Sequence, residues 1–185
     1  QEQYGGDFLH IIYHCVGGSH SSAVAAAIHL NLLPRDRTPN KDELLKIPFY
    51  DTLEKIDQGK ILYRGTDKFG NKVYTLSRQF VPHLVIPAVQ DMWKALEQNE
   101  NDLLFINTMP AVNWLMKIGG FSSRRLGWVR FGRPIVIRGT LKAYKKILRI
   151  VEEQTINSPI NPIAPPFSFS DTKNAFKMYW IDSPS

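Results

Sequence analysis

The densest chemistry in the chain lies in one short stretch, "HCVGGSHSS", from His14 to Ser22. It holds the single cysteine, Cys15, two histidines, His14 and His20, and three hydroxyls, Ser19, Ser21 and Ser22. Gly17 and Gly18 allow close backbone approach to a ligand. The stretch also leads from a β-forming run into an alanine-rich one. At a strand-to-helix turn of this kind, backbone N–H groups and the helix dipole favour an anion. The expected ligand is therefore a phosphorylated small molecule or nucleotide, with its phosphate in loop 16–22. Cys15 could serve as nucleophile, with His14, His20 or Asp67 moving the proton. The bland alternative is a small buried thiol at a strand end, followed by helix-capping serines.

Two comparisons sharpen this reading. The Walker pattern requires a lysine near its end, and none occupies this loop, so a P-loop triphosphatase is not expected. The stretch is similar to the signature of cysteine phosphatases, which runs His-Cys, five residues, then Arg and a hydroxyl. His14, Cys15 and Ser22 match that signature, but Ser21 stands where the arginine belongs. That arginine grips phosphate with a bidentate fork and favours the thiolate. A substitute would have to come from elsewhere: Arg64, Arg124 or Arg125.

Other groups sit at expected strand ends: Arg64 and Asp67 in "YRGTD", Asn107 and Thr108 in "FINTMP", and Thr140 in "IRGT". In a parallel sheet these ends would converge on the first loop, where ligands of open α/β sheets collect. "GGFSSRRLG" adds Arg124 and Arg125 as guanidinium forks beside two serines. His14, His20 and His29 with Asp51 or Asp67 could in principle bind zinc or manganese. No HxH or HExxH spacing supports a metal, and no pattern names a cofactor.

The elements that must position these groups follow from local pattern. "FLHIIYHC", residues 8–15, reads as a buried strand. Ser21 or Ser22 could cap a helix running to about Leu32 and closed by Pro34, after which "RDRTPNKDELLKI" reads as a loop and a short helix. "KILYRGTDKFGNKVYTLS" reads as a hairpin around a glycine turn. "RQFVPHLVIPAVQDMWKALEQ" reads as a helix and "DLLFINT" as a strand. "PAVNWLMKIGGF" reads as a helix opened by Pro110 and ended by Gly119 and Gly120. "RPIVIRGT" reads as a last strand, with Thr140 capping the amphipathic helix "LKAYKKILRIVEEQ". The expectation is a three-layer α/β/α domain over 1–155, with a mostly parallel sheet of about five strands and a β-hairpin insertion. An irregular, proline-rich C-terminal tail, 156–185, would follow, and its aromatics call for a covering surface. A homo-oligomer is one way to supply it.

At 185 residues, 43% hydrophobic and 22% charged, the chain has globular composition. One cysteine excludes an internal disulfide and a multi-cysteine zinc site. No apolar run reaches membrane-spanning length, and "QEQYGGDF" lacks the features of a signal peptide, so a cytoplasmic protein is expected. The net charge of +6 is concentrated between residues 124 and 149. No finger, recognition-helix or RNP-type motif accompanies it, so nucleic acid is not the expected partner.

The stretches "IIYHCVGGSHSSAVAAAIHL", "KIPFYD", "YRGTDKFGNKVYTLSRQ", "NTMPAVNWLMKIGGFSSRRLG" and "GRPIVIRGTLKAY" together resemble a family of small proteins of unknown function from spore-forming Firmicutes. The resemblance covers residues 9–153. It implies a bacterial cytoplasmic protein with a link to sporulation, and no activity. Two readings stand: a phosphatase-like or phosphoryl-transfer enzyme, or a non-catalytic ligand-binding or assembly protein that uses its basic helix and aromatic tail.

Overall fold

The computed structural model describes residues 8–48, 50–53, 55–124 and 129–156. The expected tail lies outside them. Strand β1 (His10–Cys15) is flanked by β3 (Lys72–Ser77) and β4 (Leu103–Asn107), both parallel to it. β2 (Ile61–Thr66) runs antiparallel to β3, giving the order β2-β3-β1-β4. Among the described residues the sheet has four strands rather than about five, three of them parallel, and the expected hairpin places β2 at its edge.

Alternation along β1 sorts its side chains onto two faces. Ile11 and Tyr13, with their partners Val73 and Ile106, join a buried core with α1 (Ser21–His29) and α5 (Val129–Ile156). Val24, Ile28, Ile137, Tyr144 and Ile147 are the large helical contributors. The other face carries His10, Tyr74 and Phe105. There Trp93 of α3 (Pro82–Ala95) sets its edge against His10 with ring centroids 4.8 Å apart. Helices therefore cover both faces, and the expected three-layer α/β/α architecture holds. No helix among the described residues is long and apolar enough to cross a membrane.

Helix α1 is buried along its whole length. Its alanines, Ala23 and Ala25 to Ala27, let the backbone lie close to β1 and β3. The short α2 (Lys41–Leu45) begins with a capping box, in which Asn40 accepts from the Glu43 N–H and Glu43 accepts from the Asn40 N–H.

Two sequence expectations fail at α4 (Trp114–Arg124) and α5. The glycine pair does not end α4, which runs through Gly119 and Gly120. "RPIVIRGT" is not a strand but the first part of α5. Both failures have one cause, a close helix crossing. A Cβ at Gly119 would lie 2.5 Å from the Val136 nitrogen, and one at Gly139 would lie 2.7 Å from the Met116 nitrogen. Glycine is there so that backbones can touch. Thr140 does not cap a helix; it sits inside α5, donates to the Val136 carbonyl at 2.8 Å and accepts from the Tyr50 hydroxyl at 2.8 Å.

Candidate functional site

The chain leaves β1 to one side, for β3, and later crosses back to β4 on the other. The carboxyl ends of β1 and β4 are thus the switch point where open α/β sheets bind ligands. The turn after Cys15 lies there. Gly18 has φ of +70°, and a Cβ on it would lie 2.9 Å from Ser77 Cβ, so only glycine suits both the turn and its neighbour. That conformation aims the Gly18 N–H at Cys15 Sγ, 3.1 Å away. The Ser22 hydroxyl, from the first turn of α1, is 3.2 Å from the same sulfur. Ser22 therefore serves the thiol, and the N-cap of α1 is His20 rather than a serine.

The end of β3 closes the turn from the other side. Arg78 and Gln79 donate their backbone N–H groups to the carbonyls of Cys15 and Val16 at 3.1 and 3.0 Å. Ser77 Oγ donates to Val16 at 3.0 Å. The Arg78 side chain donates Nε–H to His14 Nδ1 at 3.1 Å. His14 consequently carries its proton on Nε2, and that nitrogen has no hydrogen bond among the described residues. Burial first, and the Arg78 charge second, lower the pKa of His14 to about 4. It is a neutral hydrogen-bond donor at ordinary pH. Burial also lowers the pKa of Arg78, and proximity to Cys15 acts the other way. The guanidinium lies within electrostatic reach of the sulfur.

His20 anchors a second network. Its Nε2 is 3.0 Å from Asp51 Oδ1, and Arg133 of α5 donates Nε–H to Asp51 Oδ2 at 3.0 Å. Burial alone would raise the Asp51 pKa, but His20 and Arg133 together hold it below the usual value. The Asp51 N–H also reaches the Ser19 carbonyl at 3.3 Å. His20 Nδ1 faces Gly120 of α4: a Cβ there would come within 3.5 Å of it. With Nε2–H committed to the carboxylate, Nδ1 is the nitrogen left to take or give a proton.

Ser21, at the phosphatase-type arginine position, pairs with Thr108 Oγ1 at 2.9 Å, and Thr108 donates on to the His14 carbonyl at 3.0 Å. It ties the ends of β1 and β4 together. Ser19 is fully buried and Gly17 half-buried. Asn107 lies opposite His14 and uses its side chain to accept from the Met109 N–H at 3.0 Å.

Other sequence candidates lie elsewhere. β2 is antiparallel, so the residues after it sit at the amino end of β1. There Asp67 accepts from the N–H groups of Phe69 and Asn71 and pairs with His29 Nε2 at 3.0 Å. The other nitrogen of His29 pairs with the Tyr13 hydroxyl at 2.8 Å. Arg64 projects from β2 to Thr75 and to the Pro48 carbonyl, and burial lowers its pKa to about 10. Arg124 ends α4, and Arg125 lies outside the described residues. Among the described residues no three His, Cys, Asp or Glu side chains could hold a metal ion together.

The guanidinium beside Cys15 thus comes from Arg78, which sequence reasoning missed. A local signal existed: Arg78 follows directly on an expected strand. Its relevance depends on knowing that β3 pairs in parallel with β1.

Fold and site define an α/β domain with a thiol turn at the switch point of its sheet. The family model described as "Protein of unknown function (DUF3189)" matches residues 10–155, and the chain belongs to that family. Comparison with curated proteins and with solved structures gives no match.

Proposed function

We propose that the turn from Cys15 to Ser22 binds phosphate and that the protein is a small cytoplasmic phosphatase-like hydrolase acting on a phosphorylated metabolite or nucleotide. One observation carries this reading: the Gly18 N–H and the Ser22 hydroxyl converge on Cys15 Sγ at 3.1 and 3.2 Å. Donors placed around a sulfur at a helix N-terminus complement a thiolate, and the same donors complement a phosphate oxygen. Arg78 and the Nε2–H of His14 supply the grip that the signature arginine gives elsewhere.

In this mechanism the Cys15 thiolate attacks phosphorus. His20 enters this step as the imidazolium, with one proton toward Asp51 and one on Nδ1. The S–P bond forms as the ester P–O bond breaks, and the leaving oxygen takes the Nδ1 proton. Water then attacks phosphorus and gives a proton back to His20. The S–P bond breaks, releasing inorganic phosphate and the thiolate. A cytoplasmic setting keeps Cys15 reduced.

The test is hydrolysis of p-nitrophenyl phosphate by the purified chain, with vanadate as inhibitor. Turnover that vanadate stops and Cys15→Ser abolishes is the expected result. Absence of turnover, together with no thermal shift from phosphate or vanadate, refutes the reading.

A second reading, an assembly protein with the sporulation link that the resemblance implies, draws on α3. Leu84, Met92 and Leu96 are 61%, 66% and 63% exposed at four-residue multiples along one side. A second copy is the occupant this reading requires. Sedimentation velocity separates the two: a dimer broken by Leu84→Glu/Met92→Glu favours assembly, and a monomer removes it.

A further inference from the structure

Helix α5 has two unlike faces. Its inner face carries Val136, Ile137, Ala143, Tyr144, Ile147 and Val151, all buried. Its outer face carries Arg138, Lys142, Lys145, Lys146 and Arg149, all exposed. At 100° per residue, Arg138, Lys142, Lys145 and Arg149 fall within an arc of about 60°, and at 1.5 Å per residue they span about 16 Å. No aspartate or glutamate occurs anywhere from 129 to 151. None of these five cations forms an ion pair among the described residues. A solvated helix face ordinarily mixes signs and pairs them at three- and four-residue spacings. This one concentrates positive charge in a row, and the first acidic residues of α5, Glu152 and Glu153, come only after its last cation.

We infer that the outer face of α5 binds the phosphate backbone of a nucleic-acid duplex, independently of base sequence. The chemistry of the row narrows the partner. A membrane-surface helix sinks an apolar face into the headgroup boundary, and the apolar face of α5 is instead buried in the protein's own core. A single-strand binder stacks bases on aromatic rings, and the row has no aromatic residue. Asparagine and glutamine, the readers of adenine, are absent from the row, and three of its five cations are lysines, compact point charges suited to phosphate. What remains is a rod of point charges, matched to regularly spaced phosphates at the surface of a duplex. Missing recognition motifs are the reason nucleic acid was not expected from the sequence. Backbone binding needs no motif, only charges arrayed on one side, and that array depends on 133–140 being helical.

The experiment is fluorescence anisotropy of a labelled 20-base-pair DNA duplex with the full chain, titrated at several salt concentrations. Four or five neutralised phosphates predict a slope of log affinity against log salt of about −4, at roughly 0.9 per contact. The variant Lys142→Ala/Lys145→Ala/Arg149→Ala should flatten that slope by about 3. Two duplexes of unrelated sequence should bind alike, and a single strand of equal length more weakly. The wild-type slope requires no variant, so misfolding of the triple substitution cannot mask the answer. A slope shallower than about −2, an unchanged slope in the variant, or binding to phosphatidylserine vesicles without binding to duplex would each overturn the inference. The hydrolysis assay of the thiol turn is independent of all three readouts.

Discussion

Helix α1 has a histidine–aspartate pair at each end, and the two pairs are alike in distance and opposite in character. His20 meets Asp51 and His29 meets Asp67, both at 3.0 Å. His29 has both ring nitrogens engaged, by the Tyr13 hydroxyl and by Asp67, and its side chain is 4% exposed. Burial lowers its pKa, and Asp67 only partly opposes that. His20 has one nitrogen engaged, its aspartate is braced by Arg133, and its side chain is 11% exposed. A histidine whose two nitrogens are both satisfied is a structural strut. One oriented by a braced carboxylate, with its second nitrogen open, is equipped for proton transfer. The carboxylate alone does not distinguish them; occupancy of the second nitrogen does.

The sharpest way to break this contrast is to delete each imidazole. His20→Ala should cut turnover of p-nitrophenyl phosphate by about 10²–10⁴-fold, the usual worth of a positioned acid–base group. Equal loss in His29→Ala, per folded molecule, would erase the distinction. For His29→Ala the expected effect is on stability. It leaves the Tyr13 hydroxyl buried without its partner, while Asp67 loses one bond and keeps those from Phe69 and Asn71, at a cost of about 3 kcal/mol. Urea denaturation measures that cost, and a loss under 1 kcal/mol would mean that the strut carries no weight.

Acid should weaken the fold through a third histidine. Folded His14 has a pKa of about 4, whereas the unfolded residue titrates near 6.5. The unfolded chain therefore takes up a proton that the folded chain refuses. Stability falls as pH drops from 6.5 to 4, by roughly 2–3 kcal/mol, and this contribution levels off below both values. His29 acts with the same sign. Asp51 and Asp67, held below their ordinary values, add a loss at still lower pH as they protonate. A His14→Gln variant whose stability declines as steeply as wild type between pH 6.5 and 4 would contradict this account. The smallest effect belongs to Tyr13→Phe, which removes one hydrogen bond to His29 and should cost about 1 kcal/mol, with turnover unchanged.

Much of the fold was legible because local pattern and tertiary role agree. β1 is rich in β-branched and aromatic residues, β4 is apolar up to Asn107, the β2–β3 hairpin is built on a glycine turn, and α3 accepts Pro82 in its first turn. The failures arise where tertiary packing overrides local preference. Ile135, Val136 and Ile137 favour a strand over a short window, yet burial at 136, 137, 140, 143, 144, 147 and 151 has the helical period. Gly119 looks like a cap because its real function, contact with another backbone, leaves no local trace. In the site, the turn itself was readable. Asp67 was not, because β2 runs antiparallel and carries it to the far end of β1. Arg78 was missed for the converse reason, since a parallel pairing brings it in from a distant segment.

That distant origin bears on how the chain is made. His14 and Arg78 are 64 residues apart, and His14 and Thr108 are 94 apart. The β2–β3 hairpin closes locally, on a microsecond scale. β1 has no neighbour in sequence to pair with and must wait for both of its partners. Closing such long loops is the slow part of assembling a parallel sheet. During synthesis Cys15 emerges well before Arg78, which brings its guanidinium, and Thr108, which completes the tie through Ser21. The thiol turn is therefore completed only after Thr108 has left the ribosome, and a nascent chain carries its cysteine unarmed.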